Sequence, residues 1–288
     1  MGGLGPSIFM SFLHAGSHRL SLARPLIMGI VNTTPDSFSD GGNWVDAQAA
    51  IRHALKLQEE GADILDVGGE STRPGAEAVP ADEEIRRVLP VIEALAGRGC
   101  VVSVDTMKPE VMRAALDAGA AMVNDVMALR APGALQAVAA SNAAVCLMHM
   151  QGEPQSMQQA PRYADVVEEV TLFLQGRVRA CTAAGIGRER LVVDPGFGFG
   201  KTLQHNLSLL KHLNRLAETG VPIMAGLSRK SMLGTLTGRK VEAREFAGVA
   251  AHLAAVARGA RLVRVHNVAA MRDALAIWNA VEEWQDGT

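Results

Sequence analysis

The sequence predicts a single-domain α/β protein with the (β/α)8 TIM-barrel fold. Eight short runs are apolar along their length, as expected of parallel strands that are covered on both faces. Segments of helical character separate consecutive runs, so the chain contains the eight strand–helix units that a barrel needs. The runs span residues 26–31, 64–67, 101–104, 120–123, 144–148, 191–193, 222–227 and 262–265.

The remaining sequence agrees with one barrel domain. After the last run, apolar side chains recur at helical spacing, at Met271, Ala274, Leu275 and Trp278. The length of 288 residues suits a single barrel, and no Pro/Ser-rich linker divides it. We expect residues 23–288 to form the barrel. Residues 1–22 lack the charged and apolar regions of a signal peptide, and we expect them to be a loosely ordered N-terminal extension.

The composition excludes several classes of partner. The net charge is −2, from 28 basic and 30 acidic residues, and aromatic residues make up 4% of the chain. Nucleic-acid binding is therefore not expected, because it needs a basic surplus or a stacking surface. No apolar stretch reaches the roughly 18 residues of a membrane span. Cys100, Cys146 and Cys181 form no CxxC pair, which indicates thiols in a reducing compartment and predicts a cytoplasmic protein.

Polar residues follow three of the predicted strands at the end where a barrel carries its active site. Asp105, Asn124 and Asp194 end the third, fourth and sixth strands. Buried carboxylates need donors, so these side chains would suit a ligand rich in N–H groups. Alternatively, Asp105 caps the helix that begins near Pro109, and Asn124 and Asp125 make turn contacts. The presence of all three at strand ends favours binding.

Positive charges lie within or directly after the last two strands, where barrels often bind phosphate. Lys230 and Arg264 could hold phosphate or pyrophosphate, whereas Arg229 is better explained as ordinary surface charge. Arg264 alternates with valines inside a strand, so we expect it to face the lumen or the mouth. His266 ends the eighth strand and fits the same anion site. Asn32 ends the first strand, and its carbonyl could bind a hard cation such as magnesium.

The segment GFGFGKT at residues 196–202 is similar to a phosphate-binding loop. The GxxxxGK[ST] motif needs glycine at position 195, where this chain has Pro195. A Walker-type ATPase is therefore disfavoured. We interpret the segment as a glycine-rich turn that brings Phe197 or Phe199 near the ligand.

Eight stretches together resemble the dihydropteroate synthase family, from about residue 25 to residue 278. They are MGIVNTTPDSFSDGG, DILDVGGESTRPGA, VSVDTMKPEV, MVNDV, VCLMHMQGEP, VVDPGFGFGK, GLSRKSMLG and VRVHNV. Each is moderately specific alone, whereas all eight in order are highly specific. The only departure from the family pattern is the N-terminal extension.

The resemblance implies a transferase on a TIM barrel, usually a homodimer, that acts in folate biosynthesis. Such an enzyme condenses 6-hydroxymethyl-7,8-dihydropterin pyrophosphate with p-aminobenzoate, yielding 7,8-dihydropteroate and pyrophosphate. Its implied cofactor is Mg2+, and sulfonamide inhibitors bind at the p-aminobenzoate site. The apolar content of residues 246–256 and 271–284 is compatible with a homodimer.

The resemblance also implies residue roles. The pterin would be held by Asp105, Asn124, Asp194, Lys230 and Arg264. Pyrophosphate would be held by Asn32, Arg264 and His266, with magnesium on Asn32. The p-aminobenzoate site would comprise Thr72, Arg73, Pro74, Phe199 and Ser231. Asp36 would help to order the two long, Gly/Pro-rich strand-to-helix loops, residues 33–43 and 68–80. The residues implied in catalysis are Asp105, Lys230, Arg264, Asp36 and Arg73.

Three alternatives stay open at this point. A pterin-binding methyltransferase domain would share the barrel, but it should lack the STRPG and TTPDSFSDGG segments that are present here. A catalytically silent barrel should have lost Arg73, Lys230 or His266, and all three are present. A lyase could use Lys230 as a Schiff base.

Overall fold

The computed structural model describes residues 10–33, 43–71, 77–152, 157–158 and 160–284. Over these residues, eight parallel strands close into a barrel in chain order, and the last strand pairs with the first. Helices follow the barrel strands, so the predicted (β/α)8 fold is confirmed. None of the helices described is long and apolar enough to cross a membrane.

Strands β3 to β10 form the barrel, whereas β1 and β2 form a separate hairpin. The strands are β1 (Phe12–Ala15), β2 (His18–Ser21), β3 (Leu26–Asn32), β4 (Ile64–Gly68), β5 (Val102–Asp105), β6 (Met122–Asp125), β7 (Ala144–Met148), β8 (Leu191–Asp194), β9 (Ile223–Ala225) and β10 (Ala260–Val265). The helices are α1 (Asn43–Glu59), α2 (Ala81–Ala96), α3 (Pro109–Asp117), α4 (Ala134–Ala139), α5 (Val166–Ala183), α6 (Leu203–Lys211), α7 (Ser231–Thr237), α8 (Glu245–Val256) and α9 (Val268–Glu282).

Both faces of the barrel strands are buried, which explains their continuously apolar sequences. The outward side chains, such as Val104 and Val263, belong to the large core between the barrel and the helices. The inward side chains, such as Met122 and Leu262, fill the lower lumen in a second core. The barrel is therefore a packed core and not a pore.

The N-terminal hairpin closes the barrel at the end where the strands begin. Leu13 and Ala15 are fully buried and pack in the lumen core with Ala121 and Ala144, which lie at the start of β6 and β7. Gly16 turns the hairpin with φ +59° and donates its N–H to the carbonyl of Asn142. Residues 12–21 lie within the segment predicted to be an N-terminal extension, and the alternate apolar side chains of this hairpin cover the lumen.

Candidate active site

The pleat of the strands turns their polar residues into the upper lumen. In β10, Val263 and Val265 pack against the helices, so Leu262 and Arg264 point inward. The same alternation directs the last inward-facing side chain of β4, β5, β6 and β8 into the upper lumen, above the apolar layer. These groups are Asp66, Asp105, Asn124 and Asp194. The lumen position predicted for Arg264 is confirmed by its contacts across the barrel.

Arg264 is held by two carboxylates from other strands. Its Nε donates to Asp66 Oδ2 and its Nη2 donates to Asp105 Oδ2, both at 2.6 Å. Asn124 Nδ2 donates to the same Asp66 oxygen at 3.1 Å. Burial acts to lower the pKa of Arg264, but the two carboxylates outweigh it and raise the pKa. Arg264 is therefore a permanent cation in the lumen.

Each of these carboxylates keeps one oxygen available. Within the described part of the chain, Oδ1 of Asp66 and Oδ1 of Asp105 are buried and have no hydrogen-bond partner. Burial raises the pKa of Asp105 to about 7, although the charge of Arg264 opposes this shift. An unsatisfied buried acceptor costs free energy. The two oxygens therefore indicate a ligand that carries N–H donors.

Asp194 and Lys230 contribute a second pair of opposite charges. Asp194 Oδ1 accepts the N–H of Gly196 at 2.7 Å. Burial lowers the pKa of Lys230 to about 8, and the charge of Asp194 opposes this shift. Lys230 Nζ lies 4.1 Å from the centre of the Phe199 ring. Of the two phenylalanines predicted near the ligand, Phe197 is 1% exposed in the helix-side core, so only Phe199 is available to the site.

The alternative explanation by turn contacts holds for Asp125 alone. Its carboxylate accepts the backbone N–H groups of Met127 and Leu129 at 2.7 Å each. Asn124 is turned the other way, into the lumen. Lys108 is the N-cap residue of α3, which has no side-chain cap, so Asp105 does not cap that helix.

Three further predicted residues, His266, Asn32 and Ser231, lie around the same rim. His266 Nδ1 is 2.8 Å from Ser228 Oγ, which also accepts the backbone N–H of His266 at 3.3 Å. Asn32 is the last residue of β3, and Ser231 begins α7 directly after Lys230. Four predicted residues lie outside the described part of the chain, namely Asp36, Thr72, Arg73 and Pro74.

Three residues of this region were missed by the sequence analysis, and only one carries a recognisable signal. Asp66 is a carboxylate inside an apolar strand, where a charge needs a partner. Ser228 and Lys201 lie in loops, where polar residues are ordinary. Lys201 is nevertheless 3% exposed, and burial lowers its pKa to about 7.

Comparison with known proteins identifies the family. The family model described as pterin binding enzyme matches residues 28–266. The dihydropteroate synthase of Neisseria meningitidis serogroup C is 53% identical over 272 residues, which cover 93% of this chain and 96% of that protein. The dihydropteroate synthase of Escherichia coli strain K12 is 47% identical over 269 residues, or 93% of this chain and 95% of that protein.

Solved structures are similar over the same extent. Dihydropteroate synthase of Xanthomonas albilineans with 4-aminobenzoic acid is 57% identical with a TM-score of 0.90, covering 96% of this chain and 99% of that one. The same enzyme in complex with 7,8-dihydropteroate is 55% identical with a TM-score of 0.86, covering 95% of this chain and 100% of that one. A Yersinia pestis dihydropteroate synthase with a sulfonamide drug complex is 45% identical with a TM-score of 0.90, covering 95% of this chain and 100% of that one. The chain belongs to the dihydropteroate synthase family of pterin-binding enzymes.

Proposed function

We propose that this protein condenses 6-hydroxymethyl-7,8-dihydropterin pyrophosphate with p-aminobenzoate. The products are 7,8-dihydropteroate and pyrophosphate, and the step belongs to folate biosynthesis. The observation that carries the proposal is the set of buried acceptors beside two cations, Arg264 and Lys230, at the mouth of the barrel. Membership of the family supports it, as does the Xanthomonas albilineans relative, whose solved structures contain 4-aminobenzoic acid or 7,8-dihydropteroate.

The pterin ring supplies the N–H donors that the buried acceptors lack. Asp105, Asp194 and Asn124 would hold its amino and amide edge, and Lys230 would donate to its O4/N5 side. Asp105 Oδ1 is buried with no hydrogen-bond partner among the described residues, which supports this role because a bound N–H group would satisfy that atom. Arg264 would lie against the ring face.

Bond cleavage would be helped by charges at both ends of the breaking C–O bond. The electron-rich pterin can stabilise a cation at its CH2 carbon, and the Asp105 carboxylate would stabilise it further. Arg264 and His266 would hold the departing pyrophosphate, which takes the bonding electron pair. The aniline nitrogen then attacks the carbon and loses a proton. We infer an SN1-like route, in which the enzyme mainly orients the substrates and excludes water.

The implied Mg2+ fits one residue of the rim. Magnesium usually keeps several waters and binds through one or two protein oxygens together with substrate phosphates. Asn32 supplies one such amide oxygen at the end of β3, and we propose that it holds the ion. The ion would neutralise charge on the pyrophosphate. No cluster of three or more His, Cys, Asp or Glu residues offers another metal site in the described ranges.

The second substrate would bind beside Lys230. Phe199 and Ser231 both adjoin that residue, through the ring contact and through the chain. By resemblance, Thr72, Arg73 and Pro74 would complete the p-aminobenzoate site, and Asp36 would help to order both long loops. The same site would take sulfonamides, since the Yersinia pestis relative is a sulfonamide drug complex.

We also propose a cytoplasmic homodimer. Four apolar side chains of α8, α9 and the residues after it are strongly exposed: Phe246 (85%), Ile277 (70%), Val281 (67%) and Trp284 (76%). Helices α8 and α9 contact each other, so these side chains could form one face for a second copy. Three free, buried cysteines agree with a reducing compartment.

The proposal is tested by measuring pyrophosphate release from dihydropterin pyrophosphate with Mg2+, with and without p-aminobenzoate. Release that needs both substrates and yields dihydropteroate is expected. Pterin binding without turnover would instead identify a silent barrel, and absence of pterin binding would refute the assignment. Borohydride should not trap a covalent adduct on Lys230, because the mechanism forms no Schiff base.

A further inference from the structure

We propose that Lys201 is a positioning residue for p-aminobenzoate, which fixes the glycine-rich loop of residues 196–200 and thereby the Phe199 ring. The inference rests on the proposed function, since it takes Phe199 as part of the p-aminobenzoate site. Lys201 itself touches no substrate in this proposal. It acts through hydrogen bonds to the backbone carbonyl oxygens of the loop.

The ammonium group of Lys201 is surrounded by hydrogen-bond acceptors. Its Nζ donates to the carbonyl oxygens of Phe199 at 2.9 Å, Gly196 at 3.0 Å and His149 at 3.3 Å. It also lies 3.0 Å from His149 Nδ1. Lys201 is 3% exposed, so little water can replace it as the donor to these carbonyls. The loop is therefore folded around one buried amine.

Phe197 anchors the loop in the helix-side core, but the three glycines beside it have no side chains to fix the rest of its shape. Gly196, Gly198 and Gly200 have φ values of +67°, +80° and +61°, which glycine adopts without strain. At Gly196 a Cβ atom would lie 2.0 Å from the carbonyl oxygen of His149, so the close approach requires glycine. Glycine is also the most flexible residue when contacts are lost. Beyond Phe197, order in this loop comes from hydrogen-bond partners. Asn206 and Tyr163 bind Gly198 and Gly200, and Lys201 binds two of the five loop carbonyls.

Phe199 is the residue through which Lys201 would affect binding. The N–H of Phe199 donates to the Gly196 carbonyl, and Lys201 binds that same carbonyl and the carbonyl of Phe199. Lys201 therefore holds both ends of the turn that carries the ring. The ring in turn contacts Lys230 Nζ. Loss of the ammonium would release the turn and let the ring leave this position.

The test compares Lys201→Met with a matched control, Lys211→Met. Lys211 is an exposed lysine at the end of α6, the helix that follows the loop. We expect Lys201→Met to raise the KM for p-aminobenzoate roughly tenfold, the scale of losing a buried hydrogen-bond partner. The KM for dihydropterin pyrophosphate and kcat should change less than about threefold. Lys211→Met should match the wild type. Lys201→Gln, which keeps an amide donor, should be intermediate and serves if the Met variant does not fold.

A double-mutant cycle with Phe199→Leu separates positioning from general support. If Lys201 acts through Phe199, adding Lys201→Met to Phe199→Leu raises the KM for p-aminobenzoate no further. Additive effects, or equal losses for both substrates, would overturn the proposal. An active wild type with an unchanged KM in Lys201→Met and Lys201→Gln would refute the role of Lys201 alone. A wild type that makes no dihydropteroate would refute the proposed function as well.

Discussion

Arg264 Nε and Asp66 Oδ2 are joined by a 2.6 Å hydrogen bond across the lumen, although the two residues lie 198 positions apart in the chain. The same Asp66 oxygen accepts the side-chain N–H of Asn124. Asp66 therefore links the arginine proposed to hold pyrophosphate to an amide proposed to hold the pterin. It orients both without being one of the residues that the family resemblance implies.

The first prediction is that Asp66→Asn impairs activity by releasing Arg264. We expect kcat/KM to fall about 30-fold, which corresponds to about 2 kcal/mol of lost transition-state stabilisation. Asp63→Asn is the matched control, because Asp63 also pairs with an arginine, Arg24, at 2.6 Å, but does so where the strands begin. The control should keep its kcat/KM within about twofold. Steady-state measurement of kcat/KM for both variants tests this prediction. A wild-type kcat/KM in Asp66→Asn would contradict it.

The second prediction is that Asp105 sets the acidic limb of the pH–rate profile. Burial raises its pKa to about 7, so the carboxylate is increasingly protonated as the pH falls below 7. If the carboxylate stabilises the developing cation, kcat/KM should fall about tenfold per pH unit below that value.

Asp105→Asn provides the comparison for that profile. At pH 8 we expect it to lower kcat/KM about 100-fold, the scale of losing one electrostatic stabiliser. The remaining kcat/KM of this variant should no longer fall as the pH drops below 7, because asparagine does not titrate. A wild-type profile that stays flat between pH 8 and pH 5 would exclude an essential Asp105 carboxylate.

The sequence predicts the barrel and most of its rim because both depend on local pattern. Apolar runs define the strands, and the polar residue that ends a run lies at the mouth in any parallel barrel. The two-residue period could also have separated Asn124 from Asp125, since only one of two neighbours can point inward.

Other features depend on contacts between distant segments. Ser228 meets His266, and Lys201 meets His149, only once strands far apart in the chain are side by side. The N-terminal hairpin is similar, because Leu13 is buried by the lumen and not by its own neighbours. No local pattern distinguishes such residues from those of an ordinary loop or tail.

The third prediction concerns magnesium. If Asn32 holds the ion, Asn32→Ala should raise the Mg2+ concentration for half-maximal activity about tenfold, because the waters and the pyrophosphate oxygens remain as ligands. Asn214→Ala, at an exposed position, should leave that concentration unchanged. Chelation by EDTA should abolish the activity of the wild type and of Asn32→Ala, and added Mg2+ should restore it. An unchanged magnesium dependence in Asn32→Ala would place the ion elsewhere.

The fourth prediction is that His252 makes the fold sensitive to acid. Its Nε2 accepts a hydrogen bond from the backbone N–H of Leu227 at 3.1 Å. Its Nδ1–H therefore donates to the carbonyl oxygen of Gly248, at 2.8 Å. The ring is therefore neutral, and burial lowers its pKa to about 4. Below about pH 6.5 the unfolded chain binds a proton at this residue that the folded chain does not, so stability falls as the pH drops.

Between pH 7 and pH 5 this single group should remove about 2 kcal/mol from the free energy of unfolding. Glutamine at this position can still accept the Leu227 N–H but does not titrate. Denaturant unfolding of His252→Gln should therefore show a smaller loss between the two pH values than the wild type, by about that amount. The exposed His212→Gln is the control and should lose as much stability as the wild type. Equal acid sensitivity in His252→Gln and the wild type would mean that His252 already binds a proton in the folded protein.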